Sequence, residues 1–291
     1  MNLATALALA APGLDPAAAL LLGEGVWGQV HDAGDGTVIK LLRQGGGLGE
    51  AEDLWENECA ALRALEGMAL PFAVPRLVDA GRLDEAATGC RAFLRMTRLS
   101  GHALDDDSLA ALAAAPAGRL AAQLGEALAA LHGCAMAEGF ADSRAGVDLA
   151  MLEDLAPQVA DIAGPGVIAA IAESLTSLEG SATVASHGDI NSTNILVDGR
   201  GDLVGLIDWA EARQDWREAE FCHLVLLPEV LAPVRAAYES AAGLCLDDRR
   251  LDLVGLHNAL IGIVICRRIG EAQEAAWNAG EARRLIASLG L

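Results

Sequence analysis

The sequence predicts an α+β chain in two parts: a small antiparallel sheet with one helix over residues 1–98, and a larger, mainly helical part over residues 99–291. Three observations carry this. β-branched runs and turn residues crowd the first hundred positions. One amphipathic helix interrupts them. After Ser100-Gly101 the chain turns Ala- and Leu-rich with helical spacing, a composition that favours helix.

Met1 to Ala11 predicts a short helix packed on the first part. It lacks a basic start, and Asp15 and Glu24 follow closely, so it does not read as a signal peptide. Residues 20–42 predict strand, glycine loop, strand, turn and strand, with Asp35-Gly36 as the turn and Val30 and Val38-Ile39 as β-branched members. Residues 50–66 predict a helix with Leu54, Ala61, Leu62 and Leu65 on one face. Gly45-Gly46-Gly47 predicts a mobile loop. Pro71 and Pro75 break the chain, Arg76-Leu77-Val78 opens a strand, and Arg91 to Leu99 is another. Beyond it, Leu120 to His132 predicts a strong amphipathic helix, and residues 151–163 and 167–178 two weaker ones. Residues 184–196 read as a polar loop. Asp198-Gly199 and Gly201-Asp202 then form a turn between Ile195-Leu196-Val197 and residues 203–207. From Pro228 onward the chain reads helical again.

Apolar residues make up 53% of the chain, enough for a sizeable core, and the net charge is -21. No basic stripe marks a nucleic-acid partner. No run of about eighteen apolar residues marks a membrane span. The acidity suits solubility, and it also draws in cationic ligands. The six cysteines show no C-x-x-C spacing and lie in apolar contexts; they predict buried thiols of a reducing cytoplasm, not a metal site. Nothing in the pattern sets the oligomeric state.

The chain has one lysine, Lys40, and nineteen arginines. Where every other cation is arginine, the lone lysine marks a place a guanidinium would not fill. Upstream lies a G-x-G-x-x-G-x-V loop with Gly23, Gly25, Gly28 and Val30. A dinucleotide fold would open a helix at the last glycine; here the loop joins two strands, and a strand ending in lysine follows. That is a phosphate grip of the kinase kind. The second motif is His187-Gly188-Asp189-Ile190-Asn191-Ser192-Thr193-Asn194-Ile195-Leu196. An aspartate five residues before an asparagine suits phosphoryl transfer, one accepting the hydroxyl proton and the other binding Mg²⁺. Asp208, in Leu206-Ile207-Asp208-Trp209, supplies a second carboxylate, and two converging carboxylates imply a cation.

H-G-D-x-x-x-x-N-I-L followed by I-D-W resembles the signature of the aminoglycoside phosphotransferase and choline kinase superfamily. That resemblance spans residues 20–225 and implies a bilobal protein-kinase-like fold. It implies ATP, or GTP, with Mg²⁺ as cofactors and a small-molecule hydroxyl as acceptor, nearest to the antibiotic kinases. A metabolite kinase or a nucleotide-binding pseudokinase are the other readings. Carried over by position, Asp189 would be the base, and Asn194 and Asp208 the metal ligands. Lys40 would bind phosphates and pair with Glu58, or with Glu56. Met96 would flank the adenine, with the backbone of Thr97 and Leu99 as its hydrogen-bond partners. His187 would brace the loop. Trp27, Trp209 and His132 fit packing better than chemistry. The family's Gly-Asp-Pro is replaced by Gln214-Asp215-Trp216, and its Asp-Leu by Glu220-Phe221. Glu211, Asp215 and Glu218 fit either a solvated acidic face or the wall of a pocket for a cationic substrate.

Overall fold

The computed structural model describes residues 2–43, 51–114, 119–134, 140, 151–177 and 181–291. The triple-glycine segment lies outside them. A five-stranded antiparallel sheet of order β1-β2-β3-β5-β4 forms the first part. Its strands are β1 (Leu20–Gly25), β2 (Gly28–Asp32), β3 (Thr37–Leu42), β4 (Leu77–Arg82) and β5 (Ala92–Thr97). Alternation sorts each strand between two layers. Ile39, Leu41 and Phe93 pack on helix α1 (Leu3–Ala10) through Ala6, Leu7 and Ala10. Leu42, Leu94 and Met96 face the other way, onto helix α2 (Ala51–Leu65) and the main core. Lys40 alternates with Ile39 and Leu41, so it points to the α2 side.

Helix α2 buries Leu54, Glu58, Ala61, Leu62 and Leu65, a stripe at helical spacing. Glu58 is buried because it stands on that stripe, while Glu56 stands off it. Asn57 donates to the carbonyls of Ala210 and Ala212 at 2.6 and 2.7 Å, tying α2 to the segment after Asp208. A short helix, α3 (Glu85–Thr88), joins β4 to β5.

The second part is mainly helical: α4 (Asp106–Ala113), α5 (Arg119–His132), α6 (Pro165–Ser177), α7 (Pro228–Ala242), α8 (Asp248–Ile269) and α9 (Ala272–Leu289). Two small sheets carry the polar loop. One has the order β6 (His102–Ala103), β8 (Ile195–Val197), β9 (Leu203–Leu206); the other pairs β7 (Val184–Ser186) with β10 (Arg213–Asp215). Ala73, in the linker to β4, bridges to Gly205, so the β8–β9 hairpin is fixed to the sheet part.

Two expectations change. The helix over 151–163 stops at 155 and gives way to a 3₁₀ turn over Ala156–Gln158. Pro157 lacks the N–H that an α-helix would need there. Cys59 and Cys90 are buried, but Cys134, Cys222 and Cys266 are only partly so, and Cys245 is exposed on the short link between α7 and α8. Among the described residues no helix is long and apolar enough to cross a membrane.

Candidate active site

The glycine loop is the β1–β2 hairpin, with Gly25 opposite Gly28 and Val26-Trp27 at its tip. A Cβ on Gly28 would sit 1.9 Å from the Leu41 carbonyl oxygen, so packing alone demands glycine there. Gly23 and Gly25 meet nothing within 4 Å, which leaves room for a ligand against the backbone. Val30 pairs with Lys40 across β2 and β3. Lys40 Nζ lies 2.8 Å from Glu58 Oε2 and 2.6 Å from Asp208 Oδ1. Burial works against charge on this amine, but Asp208 and Glu58 outweigh it and hold the ammonium protonated. The second Glu58 oxygen accepts from the Trp209 N–H at 3.3 Å. Glu56 pairs instead with Arg82 at 2.6 Å on the solvent side. Asp208 holds a φ of 63°, in the left-handed region where a non-glycine residue carries strain.

Asp189 is held by three side chains. Its Oδ1 accepts from Asn191 Nδ2 at 2.8 Å and from His223 Nε2 at 2.9 Å, and its Oδ2 from Asn194 Nδ2 at 2.9 Å. The Asn194 amide also donates to the Asp189 carbonyl at 2.9 Å. Two acceptors fix the amide nitrogen toward Asp189 and turn the Asn194 oxygen away from it. Burial pushes the Asp189 carboxyl up, yet the His223 hydrogen bond and charge outweigh it and hold it well below the usual carboxylate range. Burial alone would depress the His223 imidazole; Asp189 reverses that and raises it. Ile207 donates to the Asn194 carbonyl at 3.0 Å, so the loop and Asp208 share one hairpin. His187 Nε2 donates to the Ile207 carbonyl at 3.0 Å, and the ring packs on Trp209 with centroids 4.4 Å apart. Gly188 needs glycine twice over, with φ at +81° and a would-be Cβ 2.3 Å from the Glu211 carbonyl oxygen.

Met96 is buried on β5, opposite Val38 of β3. The Thr97 N–H donates to the Arg76 carbonyl at 2.9 Å. Leu99 lies just past the strand, half-buried.

Asp189 also faces a cavity of about 420 Å³, which it lines with Trp27, Asp106, Glu211, His223 and Trp277 among others. Lys40, Glu58 and Asp208 are outside its walls. The stretch after Asp208 is less acidic toward this cavity than its sequence suggests. Asp215 is buried, and its two oxygens accept from Arg213 Nε at 2.5 Å and from the Trp216 N–H at 2.8 Å. Glu218 is buried outside the cavity walls, accepting from the Asp247 N–H at 3.3 Å with Arg250 at 3.9 Å. Glu211 alone of the three is part-exposed there, 3.7 Å from Arg213.

Residues 29–284 match the model of the phosphotransferase enzyme family. The chain belongs to that family. It is therefore a phosphotransferase, a small-molecule kinase. No curated protein matches it significantly. Solved structures do. The GDP and kanamycin complex of APH(2″)-IIIa has a TM-score of 0.74 at 17% identity, covering 98% of each chain. A thermostable mutant of aminoglycoside phosphotransferase APH(4)-Ia, in ternary complex with AMP-PNP and hygromycin B, has a TM-score of 0.68 at 18% identity and covers 99% of each. The streptomycin–ATP–APH(2″)-IIa ternary complex has a TM-score of 0.63 at 16% identity, covering 91% of this chain and 92% of the other. At such identities the likeness shows the fold, the bilobal protein-kinase-like α+β arrangement that the motifs predict.

The donor set suits the metal that this phosphotransferase fold implies. Asp208 offers a half-exposed carboxylate and Asn194 an amide oxygen turned away from Asp189, both hard oxygen donors. Among the described residues no cluster of three His, Cys, Asp or Glu forms a complete protein cage. Mg²⁺ takes a few such oxygens and completes its shell with water and phosphate.

Two residues of the site have no motif. Glu220, fully buried, accepts from the N–H groups of His187 and Gly188 at 2.8 and 3.2 Å, and lies 3.1 Å from His132 Nε2. Its position in place of the family's Asp-Leu aspartate is the one signal that marks it. His223, thirty-four residues after Asp189, carries no such signal.

Proposed function

We propose that this protein transfers the γ-phosphoryl group of ATP to a hydroxyl of a small molecule, with an antibiotic as the leading acceptor and resistance as the outcome. One observation carries the reading: Asp189, pinned by Asn194, opens onto a cavity that excludes the Lys40 cluster. An acceptor and a nucleotide then have separate seats on either side of one carboxylate. Residues 1–98 would hold the nucleotide through Gly23, Gly25, Gly28, Val30, Lys40, Met96, Thr97 and Leu99, with Glu58 orienting Lys40. Residues 99–291 would carry the catalytic loop and the acceptor.

In that scheme Asp189 accepts the proton of the acceptor hydroxyl. The hydroxyl oxygen forms a bond to the γ-phosphorus as the bond from that phosphorus to the β–γ bridging oxygen breaks, releasing ADP. Asp189 then gives its proton to solvent. Its depressed basicity suits it to orient the hydroxyl and to take the proton late, in a loose transition state. Asn194 and Asp208 would hold Mg²⁺, which neutralises phosphate charge when bound. A cytoplasmic location fits the free cysteines. The antibiotic reading draws on the folds that hold kanamycin, hygromycin B and streptomycin. The test is a panel of antibiotics and of metabolites such as choline and homoserine, with ATP and with GTP. Nucleotide consumption and an 80 Da gain in acceptor mass, the mass of one phosphoryl group at roughly that value, are read together. Transfer only to a metabolite would replace the antibiotic reading.

A further inference from the structure

The cavity beside Asp189 has a composition that narrows its occupant. One face of α8 supplies Leu253, Ile261 and Ile265, α6 supplies Ile171 and Leu175, and α9 supplies Trp277. Leu253, His257, Ile261 and Ile265 recur every four residues, so they form a single stripe along the helix. Ile261 and Ile265 are only half-buried and Trp277 is 41% exposed, so this stripe still has apolar surface to cover. Trp27, at the tip of the glycine loop, lines the same space.

Ser174, Asn258 and Asn278 add uncharged polar groups to that wall, and among the described residues four carboxylates line it. Of the four lining the cavity, Asp189 is held by Asn191, Asn194 and His223, and Asp215 by Arg213 and Trp216. Asp106, exposed in the first turn of α4, and Glu211 complete the set, and Glu211 already lies 3.7 Å from Arg213. A polyamine bound here would press ammonium groups onto leucine and isoleucine, where desolvating a charge is costly.

Building on the phosphotransferase reading above, we infer that the acceptor is an amphipathic alcohol. Its hydroxyl meets Asp189. Its hydrocarbon or aromatic body lies on the Leu253–Ile261–Ile265 stripe and Trp277. Any basic group stays at the rim, against Asp106 and Glu211. Burying apolar surface in a preformed site of this volume is the ordinary source of small-ligand affinity.

The test measures binding without nucleotide, by calorimetry on the full chain. Propranolol and erythromycin serve as amphipathic alcohols with one amine each, kanamycin and streptomycin as polar polycations. The inference expects the first pair to bind at least tenfold more tightly than the second, with a negative heat-capacity change. Ile261→Asp should remove that preference, and Ile265→Ser should reduce it, while nucleotide affinity stays unchanged as a check on folding. Tighter binding of the polycations, no binding by either amphipathic probe, or a preference untouched by both variants would overturn it. Turnover is read separately. Amphipathic binding with no phosphate transferred would leave this inference standing and remove the proposed function.

Discussion

Lys40 sits among compensating charges: two carboxylates within 2.8 Å, one buried and one part-exposed, the second of them 168 positions along the chain from Lys40. The cavity beside Asp189 is different: α6, α8 and α9 give it an apolar stripe with Ser174, Asn258 and Asn278 beside it, and most of the carboxylates among its described residues are already engaged. The two regions fail differently when altered. In the charged cluster each group is fixed by a partner, so removing one strands another. In the cavity each contact is an area, so loss is graded and depends on what is bound.

Asp189 joins the two regions, and its loss has the largest expected effect. Asp189→Asn should cut turnover by roughly 10²–10⁴-fold, the range for a positioned base. Nucleotide affinity should hold, because the Lys40–Asp208 contact does not pass through Asp189. Single-turnover rates beside nucleotide titration separate the two. Turnover within a few-fold of wild type would break the link between the regions.

The next effect tests compensation in the charged cluster. Lys40→Met leaves Glu58 buried without its cation and should cost about 3–5 kcal/mol by urea unfolding. Adding Glu58→Gln should restore most of it. Lys40→Arg keeps the charge but replaces a point ammonium by a planar fork. It should unfold near wild type yet lose nucleotide affinity. If the double variant stayed as unstable as the single one, the cost would lie in packing and not in the stranded charge.

Glu220 is the comparable case inside the second part. Glu220→Gln should lose about 1.5–3 kcal/mol, since a charged acceptor of two backbone N–H groups becomes a neutral one. Burial raises its carboxyl, but the hydrogen bond and charge of His132 outweigh that and lower it below its ordinary 4.5. A lowered folded value means the stabilisation is present above about pH 4.5 and fades as pH falls through the folded value. The wild type should therefore lose stability into acid more steeply than Glu220→Gln. Parallel acid-unfolding curves for the two proteins would contradict this.

The charged cluster was far more legible in the sequence than the cavity. Asp189 and Asn194 are five residues apart, and a loop with that spacing has few ways to satisfy its own amides. The strands around Lys40 alternate plainly, so the face it takes follows from Ile39 and Leu41. The acidic stretch was not legible. Whether Asp215 and Glu218 meet solvent, substrate or arginine depends on where Arg213 and Arg250 fall in space, and Arg250 comes from a different helix. The α8 stripe reads as an ordinary core face, since periodicity does not tell a face covered by protein from one left for a ligand. Pro157, by contrast, is visible in the sequence as a residue that an α-helix interior does not accept, and the α-helix gives way to a 3₁₀ turn there.

The smallest expected effect sharpens the same contrast within one helix. Glu56 and Glu58 are two residues apart on α2, and the sequence alone left either as the partner of Lys40. The apolar stripe of α2 carries Glu58 inward with Leu54, Ala61, Leu62 and Leu65, and leaves Glu56 outside. Glu56 meets Arg82 at 2.6 Å, with both side chains about 60% exposed. An ion pair so wet gains little, because solvent screens it and two long side chains must be ordered. Glu56→Gln should therefore shift Tm by about 2 °C or less and leave nucleotide affinity unchanged. Glu58→Gln should lower both, since a neutral amide no longer balances Lys40 in a buried setting. Thermal melts with and without nucleotide, run on both variants, decide it. Equal losses would mean that exposure on α2 does not govern which glutamate matters, and that Lys40 is held through Asp208 alone.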